Sequence, residues 1–221
     1  IKRLREAFDL SAISEFTFEA GRPDTITFEK LSAMREGGVD RISINPQSME
    51  QAVLDAIGRR HSPEDVVRAF QTARRAGIPV INTDLIAGLP ADTPQGFAST
   101  LEAVLALGPE NITVHTLSIK RAAEIKTMPV AKSTRRFAMG EELFGELLHS
   151  QNTLISRGYR PYYMYRQKNT AGNLENVGYA LDATECLYNL YMMDELHTVL
   201  GIGAGAVTKL VDLDGNIERI F

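Results

Sequence analysis

The sequence predicts an α/β fold built on a sheet of parallel strands, and two observations lead to that prediction. Short apolar segments rich in β-branched residues alternate with helical patterns over residues 16–119, at a spacing typical of right-handed βαβ units. Polar residues recur where successive strands end, which is where parallel α/β barrels carry their functional groups. Beyond residue 119 the alternation stops, and a smaller mixed α+β region is expected.

The elements of the first half are justified in order by local signals. A helical pattern opens the chain, and FTFEA (16–20) and RISIN (41–45) read as strands. Between these strands, residues 27–38 predict a helix that ends at a glycine pair. A further helical stretch is predicted over about 48–57.

The next helix has the clearest signals. In SPEDVVRAFQTARRAG, residues 62–77, a capping serine and a first-turn proline precede an apolar stripe, and a glycine ends the helix. The strand VINTDLI (80–86) follows, then a helix over 93–108 with similar start and stop signals, then the strand ITVHTLSI (112–119). Four parallel strands are therefore predicted by residue 119.

The second half has a different pattern. A long helix is predicted over 133–157, and residues 161–179 then have few helix signals and many polar and aromatic residues. Residues 185–197 predict one more short helix, and 198–211 predict a strand interrupted by glycines. The chain is accordingly divided into two predicted regions, 1–130 and 131–221.

Composition and charge exclude several classes of function. With 24 Lys and Arg against 28 Asp and Glu, the net charge is −4 and the isoelectric point is about 5.6, which argues against nucleic-acid and anionic-membrane partners. Cys186 is the one cysteine, so this chain can form neither an intramolecular disulfide nor a multi-cysteine metal site, and a cytoplasmic location is expected. No stretch approaches the length of a transmembrane helix.

Polar side chains mark the ends of the four predicted strands: Glu19, Gln47, Asp84, and Ser118 with Lys120. A carboxylate inside a strand such as VINTDLI is costly unless it is paired or hydrogen-bonded. A structural role would explain one such residue, but it does not explain why all four strands end in a polar residue. Arg59 follows a helix in AIGRRH and could serve an anionic ligand. A solvated arginine at a helix end explains Arg59 equally well.

Three other features were weighed against structural explanations. GIGAGA (201–206) lacks the spacing of dinucleotide binders, so we interpret it as close backbone packing or a loop near a ligand. The histidines have no metal-like spacing, and His115 is interpreted as a strand position. Arg166 and Lys168 could meet substrate carboxylates in a pocket lined by aromatic residues such as Tyr163.

These segments resemble a known family. Similarity to the radical S-adenosylmethionine (SAM) enzymes of the oxygen-independent coproporphyrinogen III oxidase group is carried by FTFEAGRPDT, by RISINPQSM with Arg59 downstream, by NTDLIAGLPADTPQGF and by ECLYNLYMMDELHTVLGIGAGAVTKL. The segment YYMYRQKNTAGNLENVGY is most similar to the coproporphyrinogen dehydrogenase branch, HemZ. The resemblance covers essentially the whole chain. It implies a partial TIM-type barrel, of which this chain would form the last four βα units.

The resemblance also implies a SAM site on the rim described above. Glu19 and Gln47 match positions that hydrogen-bond the cofactor at its ribose hydroxyls. Arg59 matches the position that binds the cofactor carboxylate, a bidentate task that suits a guanidinium. Asp84 matches another acid that contacts the cofactor, and Ser118 matches a position that approaches it through the main chain.

The cluster motif of the family is missing. The family holds a 4Fe-4S cluster with three cysteines in C-x-x-x-C-x-x-C, and this chain contains no such motif. Because Ile1 enters directly into a helical pattern, we expect the chain to be a piece of a longer polypeptide whose preceding segment carries the motif. The chain alone is then expected to be inactive. The alternative is a degenerate relative without a cluster.

The reaction implied by the resemblance is an oxidative decarboxylation. A reduced cluster splits SAM into methionine and a 5′-deoxyadenosyl radical, which takes hydrogen from a propionate of coproporphyrinogen III, and the propionate becomes a vinyl group. The implied partners are a tetrapyrrole substrate and an electron donor such as flavodoxin or ferredoxin. Two alternatives remain open: a haem or porphyrin carrier of the same family, and an aldolase that uses Lys120 as a Schiff base.

Overall fold

The computed structural model describes residues 1–118, 135–168 and 170–221. Six strands form one sheet in the order β1-β2-β3-β4-β6-β5, and β7 and β8 form a separate hairpin. The strands are β1 (Thr17–Gly21), β2 (Arg41–Ile44), β3 (Val80–Ala87), β4 (Asn111–Thr116), β5 (Arg160–Tyr165), β6 (Asn176–Ala180), β7 (Thr208–Val211) and β8 (Ile217–Ile220). The helices are α1 (Lys2–Ala7), α2 (Phe28–Glu36), α3 (Gln51–Ala56), α4 (Pro63–Arg75), α5 (Pro94–Leu107), α6 (Arg135–Ser156) and α7 (Leu187–Asp194).

The parallel part of the sheet confirms the predicted fold class. Strands β1 to β4 are mutually parallel neighbours, and helices connect them, as the alternating pattern predicted. The longest register joins β3 to β4, from Asn82 opposite Asn111 to Ala87 opposite Thr116. Because each strand is followed by a crossover, the carboxyl ends of all four strands lie along one edge of the sheet.

The predicted helix signals are present in the structure. Ser62 and Asp65 form a reciprocal capping box at the start of α4, and Thr93 accepts a hydrogen bond from the backbone of Gly96 at the start of α5. Helix α5 ends at Gly108, whose φ of 64° is left-handed and therefore suits glycine. The helices start where predicted because these signals act over three or four residues and depend little on tertiary context.

The two faces of the parallel sheet differ in polarity. On β3 the burial alternates strictly: Ile81 and Leu85 are fully buried in the core against the helices, whereas Asn82 and Asp84 lie on the opposite face and are partly exposed. That opposite face forms the inner side of the barrel. The apolar core consists of two clusters, one around Phe97, Leu101 and Leu143 and one around Ile42, Phe70 and Ile81.

A buried ion pair lies at the amino-terminal end of the parallel strands, and we call Arg41, Glu15 and their hydrogen-bond partners the floor. Arg41 lies 3.1 Å from Glu15, and the two side chains are 6% and 11% exposed. The Arg41 guanidinium also donates to Asn82 (2.8 Å) and to the carbonyl of Thr184 (2.8 Å). Glu15 in turn accepts the backbone N–H of Leu187 at 2.9 Å. The floor therefore joins the start of the chain to the start of α7.

Residues 161–179 contain two strands that the sequence did not predict. Strand β6 pairs antiparallel with β4, and β5 pairs antiparallel with β6. Both strands belong to the second predicted region, yet they extend the sheet of the first; the division into 1–130 and 131–221 stays a prediction. The segment RPYYMY has ordinary strand propensity. However, β6 joins it to the sheet through β4, which lies far away in sequence, so no local pattern indicates that pairing.

The glycine-rich stretch is mostly irregular rather than a long strand. Only Thr208–Val211 is a strand, with an isolated bridge from Val199 to Lys209. A Cβ on Gly201 would lie 2.7 Å from the carbonyl oxygen of Val207. The backbone is therefore closely packed at Gly201, whereas a Cβ on Gly203 or Gly205 would have no neighbour within 4 Å. Within the described residues, no helix is long and apolar enough to cross a membrane.

Candidate functional site

Four of the predicted site residues lie along one rim, toward the carboxyl ends of the parallel strands. Glu19 is on β1, Gln47 follows β2, Asp84 is on β3 and Ser118 follows β4. Since neighbouring strands are about 4.8 Å apart, the row spans roughly 15 Å. The predicted residues therefore lie in one row along this rim.

Glu19 is oriented by two polar residues of the neighbouring strand and its loop. Its Oε1 accepts a short hydrogen bond from the Ser43 hydroxyl and one of 3.0 Å from the Asn45 amide. The backbone N–H of Asn45 donates to the Gly21 carbonyl at 2.8 Å, which holds the end of β1 against the β2 loop. The carboxylate is thus fixed through one oxygen, while the residue remains exposed.

Gln47 has an unusual backbone and a buried acceptor without a partner. Its φ is 68°, a region that non-glycine residues seldom adopt. Two backbone hydrogen bonds of 3.1 Å, from Gln47 N–H to the Asp84 carbonyl and from Ile86 N–H to the Gln47 carbonyl, hold this conformation. The side chain is buried, and its Oε1 has no hydrogen-bond partner among the described residues. Such an atom indicates a place where a ligand donor belongs.

Arg59 lies on the loop between α3 and α4. The imidazole of His61 is 1% exposed, and its Nε2 lies 3.1 Å from the carbonyl oxygen of Pro46, so this loop is fastened beside Gln47. Burial lowers the pKa of His61, which keeps the ring neutral and suits donation to a carbonyl. Arg59 is half-buried, and its guanidinium has no hydrogen bond or ion pair within residues 1–118, 135–168 and 170–221. It is free to bind an anion.

Asp84 is paired with a histidine that the sequence analysis treated as a plain strand position. His115 Nε2 lies 3.5 Å from Asp84 Oδ1, with side-chain exposures of 22% and 29%. The other ring nitrogen, Nδ1, lies 3.2 Å from the Tyr165 hydroxyl, and the phenol oxygen accepts a hydrogen bond of 3.2 Å from Gln167 Nε2. Burial raises the pKa of Tyr165, and the neighbouring Asp84 raises it further, so the phenol keeps its proton.

Tyr163 fills the inner side of the barrel beside this network. Its hydroxyl lies 2.9 Å from Thr113 Oγ1, and its ring stacks with Tyr165 at 6.2 Å between centroids. The ring covers Gly178 so closely that a Cβ there would lie 1.8 Å from Tyr163 Cε1. Burial raises the pKa of Tyr163, and Asp84 also raises it. The structure therefore brings this predicted substrate residue next to Asp84.

The remaining predicted residues lie at the outer edge of the rim. The Ser118 hydroxyl donates to the Lys168 carbonyl at 2.9 Å. Arg166 forms an ion pair of 2.6 Å with Glu175, whereas the Lys168 side chain is exposed and has no partner in the described part of the chain. Lys120 lies outside the described residues.

Several supporting residues were missed, although the sequence contained a signal for them. Polar residues alternate with apolar ones in RISIN and in NITVHT, so Ser43, Asn45 and His115 share the inner face with the predicted acids. Reading each strand for a polar face as well as an apolar face would have found them. Tyr165 carried no such signal, because its strand was not predicted.

Comparisons with known proteins decide the family. The Radical SAM superfamily matches residues 2–104. The chain is 47% identical, over 206 residues and 93% of its length, to the oxygen-independent coproporphyrinogen-III oxidase-like protein HemZ of Bacillus subtilis. The chain belongs to the radical SAM superfamily. Its fold agrees with that assignment: a structure of coproporphyrinogen III oxidase (HemN) from Escherichia coli matches with a TM-score of 0.70 and 23% identity, over 94% of this chain and 47% of that one.

Haem chaperones are also among the relatives in this superfamily. The chain is 37% identical over 110 residues to haem chaperone HemW of B. subtilis, which is 50% of this chain and 29% of HemW. It is 27% identical over 216 residues to the E. coli HemW, 98% of this chain and 52% of that protein. The chain spans 40% of the length of HemZ. Family membership thus supports a haem-related radical SAM function without separating oxidases from chaperones.

The rim residues fit the SAM cofactor of the superfamily. SAM presents a carboxylate, an ammonium, a sulfonium and two ribose hydroxyls. Opposite these groups the rim offers a free guanidinium at Arg59, carboxylates at Glu19 and Asp84, and the unpaired buried amide oxygen of Gln47. Each cofactor group therefore has a partner of complementary charge or hydrogen-bonding type.

The residues do not fit an iron–sulfur cluster. No group of three or more His, Cys, Asp or Glu is placed to hold a metal ion in the described ranges. Cys186 is buried in the floor, where its thiol donates to Glu15 at 3.4 Å, and burial raises the pKa of Cys186, which disfavours the thiolate that binds iron. This chain cannot supply the three cysteines by itself.

Proposed function

We propose that this chain is the SAM-binding part of an enzyme that converts the propionate side chains of coproporphyrinogen III to vinyl groups in the cytoplasm. The observation that carries the proposal is the rim itself. Gln47, with its unpaired side-chain oxygen, lies between the Glu19 and Asp84 strands, and the nearby α3–α4 loop carries Arg59, which has no partner in the described residues. The extensive similarity to HemZ supports the choice of substrate. The family membership supports the choice of cofactor.

Each rim residue has a separate task in this proposal. Glu19 and Gln47 accept hydrogen bonds from the ribose hydroxyls, and Arg59 binds the cofactor carboxylate with two parallel N–H donors. Asp84 balances the positive charge of the cofactor, and Ser118 contacts it through the main chain.

The reaction follows from what each propionate must lose. In this superfamily, bound SAM supplies a 5′-deoxyadenosyl group that abstracts a hydrogen atom. Removal of one hydrogen atom, one electron and carbon dioxide from a propionate leaves a vinyl group, so an electron acceptor is required, while an electron donor such as flavodoxin or ferredoxin starts the cycle. The residues of this chain bind and orient the cofactor; none is proposed as a general acid, base or nucleophile.

The substrate side of the site is proposed to lie along β5 and the segment after it. Tyr163 presents an aromatic ring beside Asp84. Lys168 offers an exposed ammonium for a substrate carboxylate, whereas Arg166 must first leave Glu175. Lys168 is therefore the stronger candidate for propionate binding.

A haem carrier is the second candidate, favoured by the similarity to HemW. A carrier would hold a tetrapyrrole without changing it. The aldolase alternative depends on Lys120, outside the described residues, and the family assignment gives it no support.

The test uses full-length protein that is purified and reconstituted without oxygen. Release of 5′-deoxyadenosine together with vinyl-bearing product from coproporphyrinogen III is the expected result. Stable haem binding with no change in coproporphyrinogen III would establish the carrier instead. Absence of SAM binding would overturn the oxidase, and absence of both SAM binding and haem binding would overturn both candidates.

A further inference from the structure

A chain of side chains behind Asp84 has no role in the site as proposed so far. It runs from Gln167 through Tyr165 to His115 by two hydrogen-bonding contacts of 3.2 Å, and it ends at a polar contact of 3.5 Å between His115 Nε2 and Asp84 Oδ1. These residues come from β3, β4 and the end of β5, so three strands meet at this point of the rim. None of the links is explained by packing of the apolar core, because all four side chains lie on the inner face of the sheet or at its edge.

With a neutral His115 and an ionised Asp84, the chemistry of the four groups gives one direction of donation along the chain. An ionised Asp84 can only accept, so His115 must present a proton on Nε2. In a neutral imidazole the Nδ1 atom is then an acceptor, and the Tyr165 hydroxyl must donate to it. The phenol oxygen is left free to accept from Gln167 Nε2. Every donor and acceptor in the chain is matched in this arrangement.

We propose that His115 and Tyr165 are positioning residues for Asp84. They hold one of its carboxylate oxygens toward His115 on β4 and leave the other oxygen for the cofactor. This inference rests on the proposed function, since it assigns Asp84 to SAM. Tyr165 fixes the tautomer of His115, and His115 fixes the rotation of the Asp84 carboxylate. The stacked ring of Tyr163, nearly parallel to that of Tyr165 at 8°, limits the movement of the Tyr165 phenol.

A double-mutant cycle separates positioning through Asp84 from a direct or general structural role. SAM affinity is measured by equilibrium dialysis on the full-length protein without reductant, so that no turnover is needed. We expect His115→Phe to weaken binding roughly three- to tenfold. In the Asp84→Asn background the same change should have no further effect, because the carboxylate that His115 orients is gone.

Conservative variants and a neighbouring tyrosine supply the controls. His115→Gln keeps an Nε2–H donor and should retain most of the affinity. Tyr165→Phe should weaken binding by less than His115→Phe, since the imidazole remains. Tyr162→Phe is the matched control on the same strand. The Tyr162 hydroxyl accepts a hydrogen bond from Asn189 and takes no part in the contacts that lead to Asp84, so this variant should bind SAM like the wild type.

The tautomer of His115 is an independent readout that needs no cofactor. Long-range ¹H–¹⁵N correlation spectra should show a protonated Nε2 and an acceptor Nδ1 in the wild type, and Tyr165→Phe should mix the two tautomers. A protonated Nδ1 in the wild type would overturn the inference. So would equal losses from His115→Phe in the wild-type and Asp84→Asn backgrounds, or an unchanged affinity in His115→Phe while Asp84→Asn is weakened. Wild-type protein that binds no SAM would overturn the proposed function and this inference together.

Discussion

Gln47 combines two locally unfavourable features. A left-handed backbone at a non-glycine residue costs about 1 kcal/mol, and a buried acceptor without a partner costs roughly 1–3 kcal/mol more. The two backbone hydrogen bonds to β3 hold the residue there. Strain of this kind is typical of ligand sites, where a bound donor recovers part of the cost.

Asp84 and Arg59 give the residue-scale test of the SAM site. We expect Asp84→Asn and Arg59→Ala each to weaken SAM binding roughly ten- to hundredfold, because each change removes a hydrogen bond that involves a charged group. The iron content of the reconstituted full-length protein should not change. Arg60→Ala is the matched control: Arg60 is the exposed neighbour on the same loop and should leave the affinity unaltered. Wild-type affinity in both site variants would place the cofactor elsewhere.

The Tyr163 ring packs so closely on residue 178 that only glycine fits there. An added methyl group would overlap Tyr163, so Gly178→Ala should lower the free energy of unfolding by about 1–3 kcal/mol. Gly145→Ala, on helix α6 with nothing within 4 Å of the added Cβ, should instead raise it by about 0.5–1 kcal/mol. Urea denaturation of both variants measures the contrast, and a stabilising Gly178→Ala would contradict the ring placement.

At the scale of elements, the start of α4 also holds the loop that carries Arg59. The capping box of Ser62 and Asp65 follows directly on His61, so the cap helps to set the geometry of that loop. Ser62→Ala should lower the free energy of unfolding by about 1 kcal/mol, because one helix N–H loses its acceptor. Ser32→Ala, inside α2 and without a side-chain hydrogen bond in the described part of the chain, should change it by less than about 0.5 kcal/mol. Equal effects of the two changes in urea denaturation would argue against the cap.

The elements also show what sequence reasoning can and cannot reach. Helix starts at Ser62 and Thr93 were predictable because a cap acts within a few residues. The rim acids Glu19 and Asp84 were predictable because parallel strands share an edge. Strands β5 and β6 were not, since the pairing of β6 to β4, which attaches both strands to the sheet, is non-local. The contact between His115 and Tyr165 joins residues 50 positions apart, so the local sequence around either residue does not predict it.

At the scale of the whole molecule, the floor ties the two predicted regions together. Removing one charge from a buried pair leaves the other without compensation, so Glu15→Gln should lower the free energy of unfolding by about 3 kcal/mol. Glu6→Gln, on the exposed helix α1, is the matched control and should change it by less than about 0.5 kcal/mol. Comparable urea midpoints for the two variants would mean that the pair contributes little.

The floor also imposes an order of events during synthesis. Glu15 leaves the ribosome well before its hydrogen-bond donor at Leu187, which lies 172 positions later in the chain. Until that segment emerges, Glu15 lacks the Leu187 backbone N–H and Arg41 lacks the Thr184 carbonyl, so water must take their places. The floor is therefore completed only after the first four strands have been translated, and a nascent chain that stalls before Leu187 cannot complete it.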